Sequence, residues 1–306
     1  PAAQTLVDSG VVAVTGAACS GASMGANAIL SAAGIPMISY ASTNPGLSDA
    51  SAYPLFYRIV PSDALQGPAG AAMMKDAGVT NESLAIVHMT NDYGSGLADS
   101  VKGAWEADGK LCGAGMQGYE EKVTNFDALV NKITSNADCE AVYLSSYITD
   151  AAGIIEALNE ANWTGKIFGG DGPAGVGLYE KMGTNSTLNG VTVSAPRAGA
   201  TYGDFNKRYD DNADTVGSIK TYVLTAYDAT MIIGKAAAMD GKIDANIKTV
   251  GTGYKGASGD LTFKTNGDVD GAGYDICTYS GDPADADKGY ACGKYWTAAD
   301  GVKASA

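Results

Sequence analysis

The stretch IPMISYASTNPG, residues 35–46, runs from an apolar segment into a polar one that carries no charged side chain. The apolar residues are typical of a buried strand, and the Asn-Pro-Gly sequence is typical of the turn that follows it. Neither element needs the hydroxyl groups of Ser39, Ser42 and Thr43 that lie between them. These surplus hydroxyls need a reason of their own, and a ligand at the end of the strand would be one.

The composition describes an ordered, acidic protein. The chain has 306 residues, 45% of them hydrophobic and 18% charged, which is enough for two domains with separate cores. Its 34 acidic and 20 basic residues give a net charge of -14, which argues against nucleic acid or an anionic membrane surface as a partner. No apolar run approaches the ~20 residues of a membrane-spanning helix, so no direct membrane insertion is expected.

The five cysteines predict disulfides rather than a metal site. They form no C-x-x-C motif, and the chain has one histidine, so no structural zinc is expected. Cys277 and Cys292 flank a turn-rich acidic insert, and Cys112 and Cys139 each adjoin an apolar run and can pair across neighbouring strands. Buried thiols are the alternative. We favour two disulfides, which indicate an extracytoplasmic compartment.

The order of elements predicts an α/β fold. From residue 11 to residue 196, short apolar runs alternate with amphipathic segments of helical length, a pattern typical of parallel sheets covered by helices. Two longer helical patterns follow at 204–213 and 222–239. From residue 256 the pattern has a period of two with turn signals, which predicts antiparallel hairpins.

Two extended segments, 57–63 and 192–199, look like crossovers between two Rossmann-like lobes. The predicted lobe 1 therefore contains residues 1–61 and 196–255. The predicted lobe 2 contains residues 62–195 and 256–306, so that the hinge between the lobes has three segments.

Polar residues follow several of the predicted strands. Ligands of open α/β sheets bind beyond the carboxyl ends of the strands. The residues found there are Ser20, Ala41, Ser42, Thr43, Tyr93, Tyr147 and Asp171. Each alone has an ordinary explanation as a helix cap, a turn residue or a rim aromatic. Together, hydroxyls, two tyrosines and one carboxylate match a zwitterionic ligand.

Enzyme chemistry and cofactors find no support in the motifs. His88 lies inside the apolar run LAIVHM and is expected to be a core residue rather than a base. No G-x-S-x-G elbow follows a strand, and no P-loop is present. Asn266, Asp268 and Asp270 resemble the start of an EF-hand, but position twelve is Cys277, and a hairpin turn explains them better. The prediction is a non-enzymatic protein without cofactor or metal.

Several stretches resemble one family from end to end: CSGAS (19–23), GIPMISYASTNPGL (34–47), NDYGSGLADSVKGAW (91–105), NFDALVNKI (125–133), SSY (145–147) and FGGDG (168–172). They are similar to the branched-chain amino acid (Leu/Ile/Val) type of periplasmic solute-binding protein, a type I periplasmic binding protein. The resemblance implies a Venus-flytrap fold that captures an amino acid between its lobes and delivers it to the membrane permease of an ABC importer. It also implies a periplasmic or extracellular location, with or without a lipid anchor.

The resemblance assigns roles to the strand-end residues. Ser20 and Thr43 match donors to the ligand carboxylate, and the Ala41 carbonyl matches an acceptor for its ammonium. Ser42 belongs to the same loop. Tyr93 and Tyr147 match aromatics that close over the ligand from the second lobe. Asp171 matches an acidic position, often glutamate, that balances the ammonium.

The chain departs from the family at its start. Members begin with a βαβα portion before the point that matches Pro1, and PAAQTLVDSG reads as the remainder of its last helix. We expect this portion to be missing, together with the upstream partner that Cys19 has in some relatives. The resemblance leaves two alternatives open, a ligand-sensing domain of a receptor or an amide- or urea-binding protein. The preferred ligand side chain is not determined.

Overall fold

The computed structural model describes residues 1–182, 186–197, 205, 207, 209, 211, 222–280 and 289–305. They form two compact units, and the chain passes from one to the other three times. Unit 1 comprises Pro1–Ser62 and Arg197–Ala272, and unit 2 comprises Asp63–Pro196 and Gly273–Ala306.

Helices and strands alternate along most of the chain. The helices are α1 (Ala2–Asp8), α2 (Ser20–Ala32), α3 (Asp63–Asp76), α4 (Asp92–Trp105), α5 (Asp127–Thr134), α6 (Ile148–Glu160), α7 (Gly177–Met182), α8 (Val223–Ala237) and α9 (Ile243–Val250). The strands are β1 (Val14–Thr15), β2 (Met37–Ser39), β3 (Phe56–Arg58), β4 (Leu84–Met89), β5 (Leu111–Tyr119), β6 (Ala141–Ser145), β7 (Lys166–Gly169), β8 (Thr192–Pro196), β9 (Tyr254–Lys255), β10 (Asp260–Leu261), β11 (Tyr274–Tyr279), β12 (Tyr290–Thr297) and β13 (Gly301–Ala304).

Unit 1 is built on a three-stranded parallel sheet in the order β1-β2-β3. Successive residues of β2 enter different apolar clusters, because side chains alternate across a strand. Met37 packs in a cluster with Leu30 of α2, whereas Ile38 packs in a cluster with Ile232 of α8 and Ile247 of α9. The sheet is therefore covered by helices on both faces.

Unit 2 contains an eight-stranded sheet in the order β13-β12-β11-β8-β7-β6-β4-β5. Five adjacent strands of this sheet run parallel: β8, β7, β6, β4 and β5. The strands β11, β12 and β13 complete the sheet with antiparallel pairs. In β6, Val142 and Leu144 belong to one buried cluster and Tyr143 to the other. All five residues of β6 are buried, as expected for a central strand with helices on both faces.

The predicted α/β class with parallel, helix-covered sheets is confirmed. The first two passages of the chain lie at 62/63 and 196/197, one residue from the expected positions. The third lies at 272/273, so residues 256–272 belong to unit 1 and not to lobe 2 as the sequence analysis expected. Contacts with β3 hold them there: the Phe263 ring lies 4.9 Å from the Tyr57 ring, and Asp268 pairs with Arg58.

Two further expectations concern the end of the chain. The helical pattern at 222–239 corresponds to α8, whereas the one at 204–213 falls largely outside the described residues. The EF-hand-like stretch forms a turn in which the Gly267 N–H donates to the Lys264 carbonyl at 3.0 Å. Gly267 has a φ of +84°, and a Cβ there would lie 2.0 Å from the Phe56 carbonyl oxygen. No cluster of metal-ligating side chains occurs among the described residues.

Both expected disulfides are present, Cys112–Cys139 and Cys277–Cys292. The second joins the paired strands β11 and β12. The first joins β5 to the loop before β6. It therefore does not connect two neighbouring strands, which is the arrangement that the sequence had suggested. Cys19 is an exposed thiol. Within the described part of the chain, no helix has the length and apolar character needed to cross a membrane.

The close contact of α3 with α4 depends on Gly67. A Cβ at Gly67 would lie 2.5 Å from the backbone of Ser100, whereas a Cβ at Gly103 on α4 would meet nothing within 4 Å. We expect Gly67→Ala to lower the free energy of unfolding by about 1–3 kcal/mol through overpacking. Gly103→Ala should raise it by up to about 1 kcal/mol, since alanine favours an exposed helix. Urea unfolding of both variants measures this, and equal effects would contradict the packing.

Candidate functional site

In unit 1, two loops meet where β1 and β2 end. The Ser39 hydroxyl donates to the Ala17 carbonyl at 2.6 Å and accepts the Ser42 N–H at 2.9 Å. The Ser42 hydroxyl lies 3.2 Å and 3.0 Å from the carbonyl oxygens of Ala17 and Ala18, and 2.8 Å from the Ser23 hydroxyl. These bonds tie the loop after β2 to the loop after β1.

The hydroxyls of Ser39 and Ser42 therefore have a structural role. The N–H, the carbonyl and the hydroxyl of Ser42 are each bonded within unit 1. The structure thus gives the Ser42 side chain the task of joining two loops. Its place in the predicted ligand set is better understood as support for its neighbour Thr43.

Thr43 differs from the other hydroxyl residues of the loop. Its side chain is fully buried, yet Oγ1 has no hydrogen-bond partner among the described residues. A buried hydroxyl without a partner costs about 1–3 kcal/mol. Such a cost at the end of a parallel strand is expected where a ligand supplies the missing partner.

Ser20 is the first residue of α2 and not its N-cap, which is Cys19. Its buried Oγ accepts the Asn44 N–H at 3.2 Å. Because this bond uses a lone pair, the hydroxyl hydrogen of Ser20 can still be donated. The first turn of the 13-residue helix α2 contains no acidic side chain. The positive end of the helix dipole is therefore not neutralised by a side chain of that turn, and it suits a carboxylate.

In unit 2, three predicted residues come together at the carboxyl ends of the adjacent strands β4, β6 and β7. The Tyr93 hydroxyl donates to Asp171 Oδ1 at 2.9 Å and accepts the Gly172 N–H at 2.9 Å. The rings of Tyr93 and Tyr147 stack at 5.0 Å with 7° between their planes. Asp171 and Tyr93 are buried, and Tyr147 is partly buried.

Two buried carboxylates act on the hydroxyl of the buried Tyr143. Burial raises the pKa of Tyr143 well above its usual value, and the charges of Asp171 and Asp63 raise it further. Asp171 and Asp63 are both almost completely buried. An ionised Asp171 would stabilise a cationic group placed beside it.

Sequence reasoning missed residues that hold the Asp171 turn. The Tyr279 hydroxyl lies 2.9 Å from the carbonyl oxygens of both Pro173 and Gly175, and so fixes the turn that begins at Asp171. Asp63 was also missed. Tyr279 lies in the antiparallel strand β11, and Asp63 is the last residue of the predicted first crossover, so neither was among the residues predicted at the ends of parallel strands.

The other candidate for chemistry is a core residue, as predicted. His88 is buried in β4, and its Nδ1 lies 2.9 Å from the Met89 carbonyl oxygen. With the proton on Nδ1, this nitrogen donates to that carbonyl. The bond gives the single histidine of the chain a structural role.

The sequence profile described as "Receptor family ligand binding region" matches residues 2–282. The chain belongs to this family. It is 27% identical over 277 residues to the leucine-, isoleucine-, valine-, threonine-, and alanine-binding protein of Pseudomonas aeruginosa, covering 87% of this chain and 71% of that protein. It is 32% identical over 160 residues to metabotropic glutamate receptor 4 of Macaca fascicularis, covering 52% of this chain and 17% of the receptor.

Among solved structures, the leucine binding protein LivK from Thermotoga maritima superposes with a TM-score of 0.79. The match covers 91% of this chain and 80% of that protein, at 23% identity. This likeness concerns the fold, and it confirms the type I periplasmic binding protein fold that the resemblance implied.

The contrast between Thr43 and Ser42 can be tested without a ligand. Thr43→Val keeps the shape and removes the unpartnered hydroxyl, so the free energy of unfolding should stay level or rise by about 1 kcal/mol. Ser42→Ala removes a bonded hydroxyl and should lower it by about 1–3 kcal/mol. Urea unfolding of the ligand-free protein gives both values. A loss in Thr43→Val as large as that in Ser42→Ala would show that Oγ1 is bonded within the protein.

Proposed function

We propose that this protein binds a branched-chain or related amino acid reversibly and serves as the solute-binding component of an ABC importer. One observation carries the proposal: the buried hydroxyl of Thr43, beside the N-terminus of α2, has no partner in the part of the chain that the structure describes. Family membership supports a ligand-binding role, and the name of the Pseudomonas relative supports the amino acid class.

Unit 1 would take the ligand carboxylate. The hydroxyls of Ser20 and Thr43 can both donate hydrogen bonds, and the N-terminus of α2 adds a positive potential. A carboxylate accepts several such hydrogen bonds at once. The carboxylate would then satisfy Thr43 Oγ1 and remove the cost of its burial in the free protein. The Ala41 carbonyl, on the same loop, would accept from the ammonium.

Unit 2, taken by itself, carries groups suited to an ammonium and to an aliphatic side chain. Asp171 is a buried carboxylate whose Oδ1 accepts from Tyr93, and an ionised carboxylate offers about four acceptor sites in all. Excluding water strengthens this ion pair, whereas an unpaired buried charge is costly. The stacked rings of Tyr93 and Tyr147 offer an apolar surface to an aliphatic side chain.

The proposed role includes no chemical step. Delivery requires a membrane permease that recognises the ligand-bound form, and the two disulfides favour an oxidising compartment such as the periplasm or the cell exterior. A ligand-sensing domain is a second candidate, because half of the chain is 32% identical to part of metabotropic glutamate receptor 4. A transmembrane segment in the complete gene product would favour sensing.

A panel of the twenty amino acids in a thermal-shift assay tests the proposal directly. Leucine, isoleucine or valine should raise the melting temperature most, because a ligand that binds only the folded state stabilises it by mass action. Isothermal titration calorimetry then gives the affinity. No response to any amino acid, or a response confined to amides or urea, would overturn the proposed function.

The ammonium contact predicts a large effect of Asp171→Asn. Removing this charge should weaken binding of the preferred amino acid at least about 30-fold, with little change in the melting temperature of the free protein. Asp99→Asn replaces an exposed carboxylate on α4 and should leave the affinity unchanged. Calorimetry on both variants makes the comparison, and an unaltered affinity in Asp171→Asn would contradict the assignment.

A further inference from the structure

A buried arginine lies behind the loop that carries Thr43. Arg58, the last residue of β3, is fully buried. Its Nε donates to Asp268 Oδ1 at 2.6 Å, and its Nη2 donates to the Ser48 hydroxyl at 2.6 Å. Its Nη1 donates to the Asn44 carbonyl at 3.0 Å and, more weakly, to the Ser42 carbonyl at 3.4 Å.

Most of these donors are directed at the loop and not at the counter-ion. Asp268 takes the Nε–H, while the two terminal nitrogens bond to residues 42, 44 and 48. The Ser48 hydroxyl in turn donates to Asp268 Oδ2 at 2.7 Å. Arg58 therefore binds the loop at both of its ends, on either side of Thr43 and again beyond the Asn-Pro-Gly turn.

Planar peptide geometry converts these bonds into an orientation of Thr43. The carbonyl of one residue and the N–H of the next point in opposite directions across a trans peptide, and the bond between Ser42 and Thr43 is trans. Since the Ser42 carbonyl faces Arg58, the Thr43 N–H faces away from it. On the other side, the Asn44 N–H is directed at Ser20 Oγ, which fixes the second peptide plane of Thr43.

We infer that Arg58 is a positioning residue for carboxylate recognition: it orients the Thr43 N–H and hydroxyl, and through Asn44 the Ser20 hydroxyl, toward one acceptor. This inference rests on the proposed function. A fold-stabilising role alone would not require a charged group, because buried ion pairs are often replaced by apolar residues without loss of stability. The flat, five-donor guanidinium can hold three loop acceptors together, and a lysine cannot reproduce that geometry.

The test compares leucine with leucinamide, which keeps the ammonium and the side chain but lacks the carboxylate. Arg58→Lys should weaken leucine binding at least about tenfold and leucinamide binding by less than about threefold, so the preference for leucine falls. A purely structural role would weaken both alike. The matched control is Asp228→Asn, which disturbs another fully buried charge of unit 1 that holds Ala257 and Ser258. It should lower stability and leave the preference intact.

A second variant covers the case in which Arg58→Lys does not fold. Ser48→Ala removes the acceptor of Nη2 and should lower the leucine preference in the same direction by about threefold. An unchanged preference for leucine over leucinamide in both variants, or in the one that folds, overturns the inference.

Hydrogen exchange separates this inference from the proposed function. If the wild-type protein binds no amino acid, the proposed function fails. Arg58 should still hold the loop at residues 42–48, and hydrogen exchange measures this. Amide exchange at residues 42–44 and 46–48 should then speed up at least about tenfold in Arg58→Lys, or in Ser48→Ala, and stay unchanged in Asp228→Asn. Unaltered exchange at these amides would overturn the positioning role by itself.

Discussion

Parallel pairing is the constraint on which the candidate residues of each unit depend. It places the carboxyl ends of neighbouring strands at one edge of a sheet, so loops that are far apart in sequence become neighbours. Tyr93, Tyr147 and Asp171 are brought together because β4, β6 and β7 are adjacent and parallel. Ser20 and the loop that carries Thr43 meet in the same way, after β1 and β2.

The hydrogen bonds of unit 1 divide its hydroxyl groups into two kinds. Ser39 and Ser42 join loops and are satisfied within the protein, whereas Thr43 is buried and has no partner among the described residues. A donor that is already fixed and already dehydrated loses little on binding. The loop after β2 is thus held by hydrogen bonds from serines and a buried arginine. Its Thr43 hydroxyl can donate to a ligand.

The strand-end rule predicted the proposed ligand contacts, but it did not predict the residues that support them. Thr43 and Asp171 were predicted because each follows an apolar run, which is visible in the sequence. Arg58 and Tyr279 were not, because their partners are carbonyl groups that become neighbours only after folding. For the same reason, the sequence does not reveal that the polar groups of Ser42 are hydrogen-bonded within unit 1.

The sequence by itself determined the α/β class, the alternation of strands and helices, the strand-end positions and the resemblance to a binding-protein family, because these follow from local patterns of apolar, polar and turn residues. Only the tertiary structure decided which hydroxyl lacks a partner among the described residues, which arginine bonds to the loop and where residues 256–272 belong. These depend on contacts such as Arg58 with Asp268, between residues far apart in the chain. Local patterns carry no record of such pairs, because hydrogen bonds and packing across a core depend on three-dimensional distance.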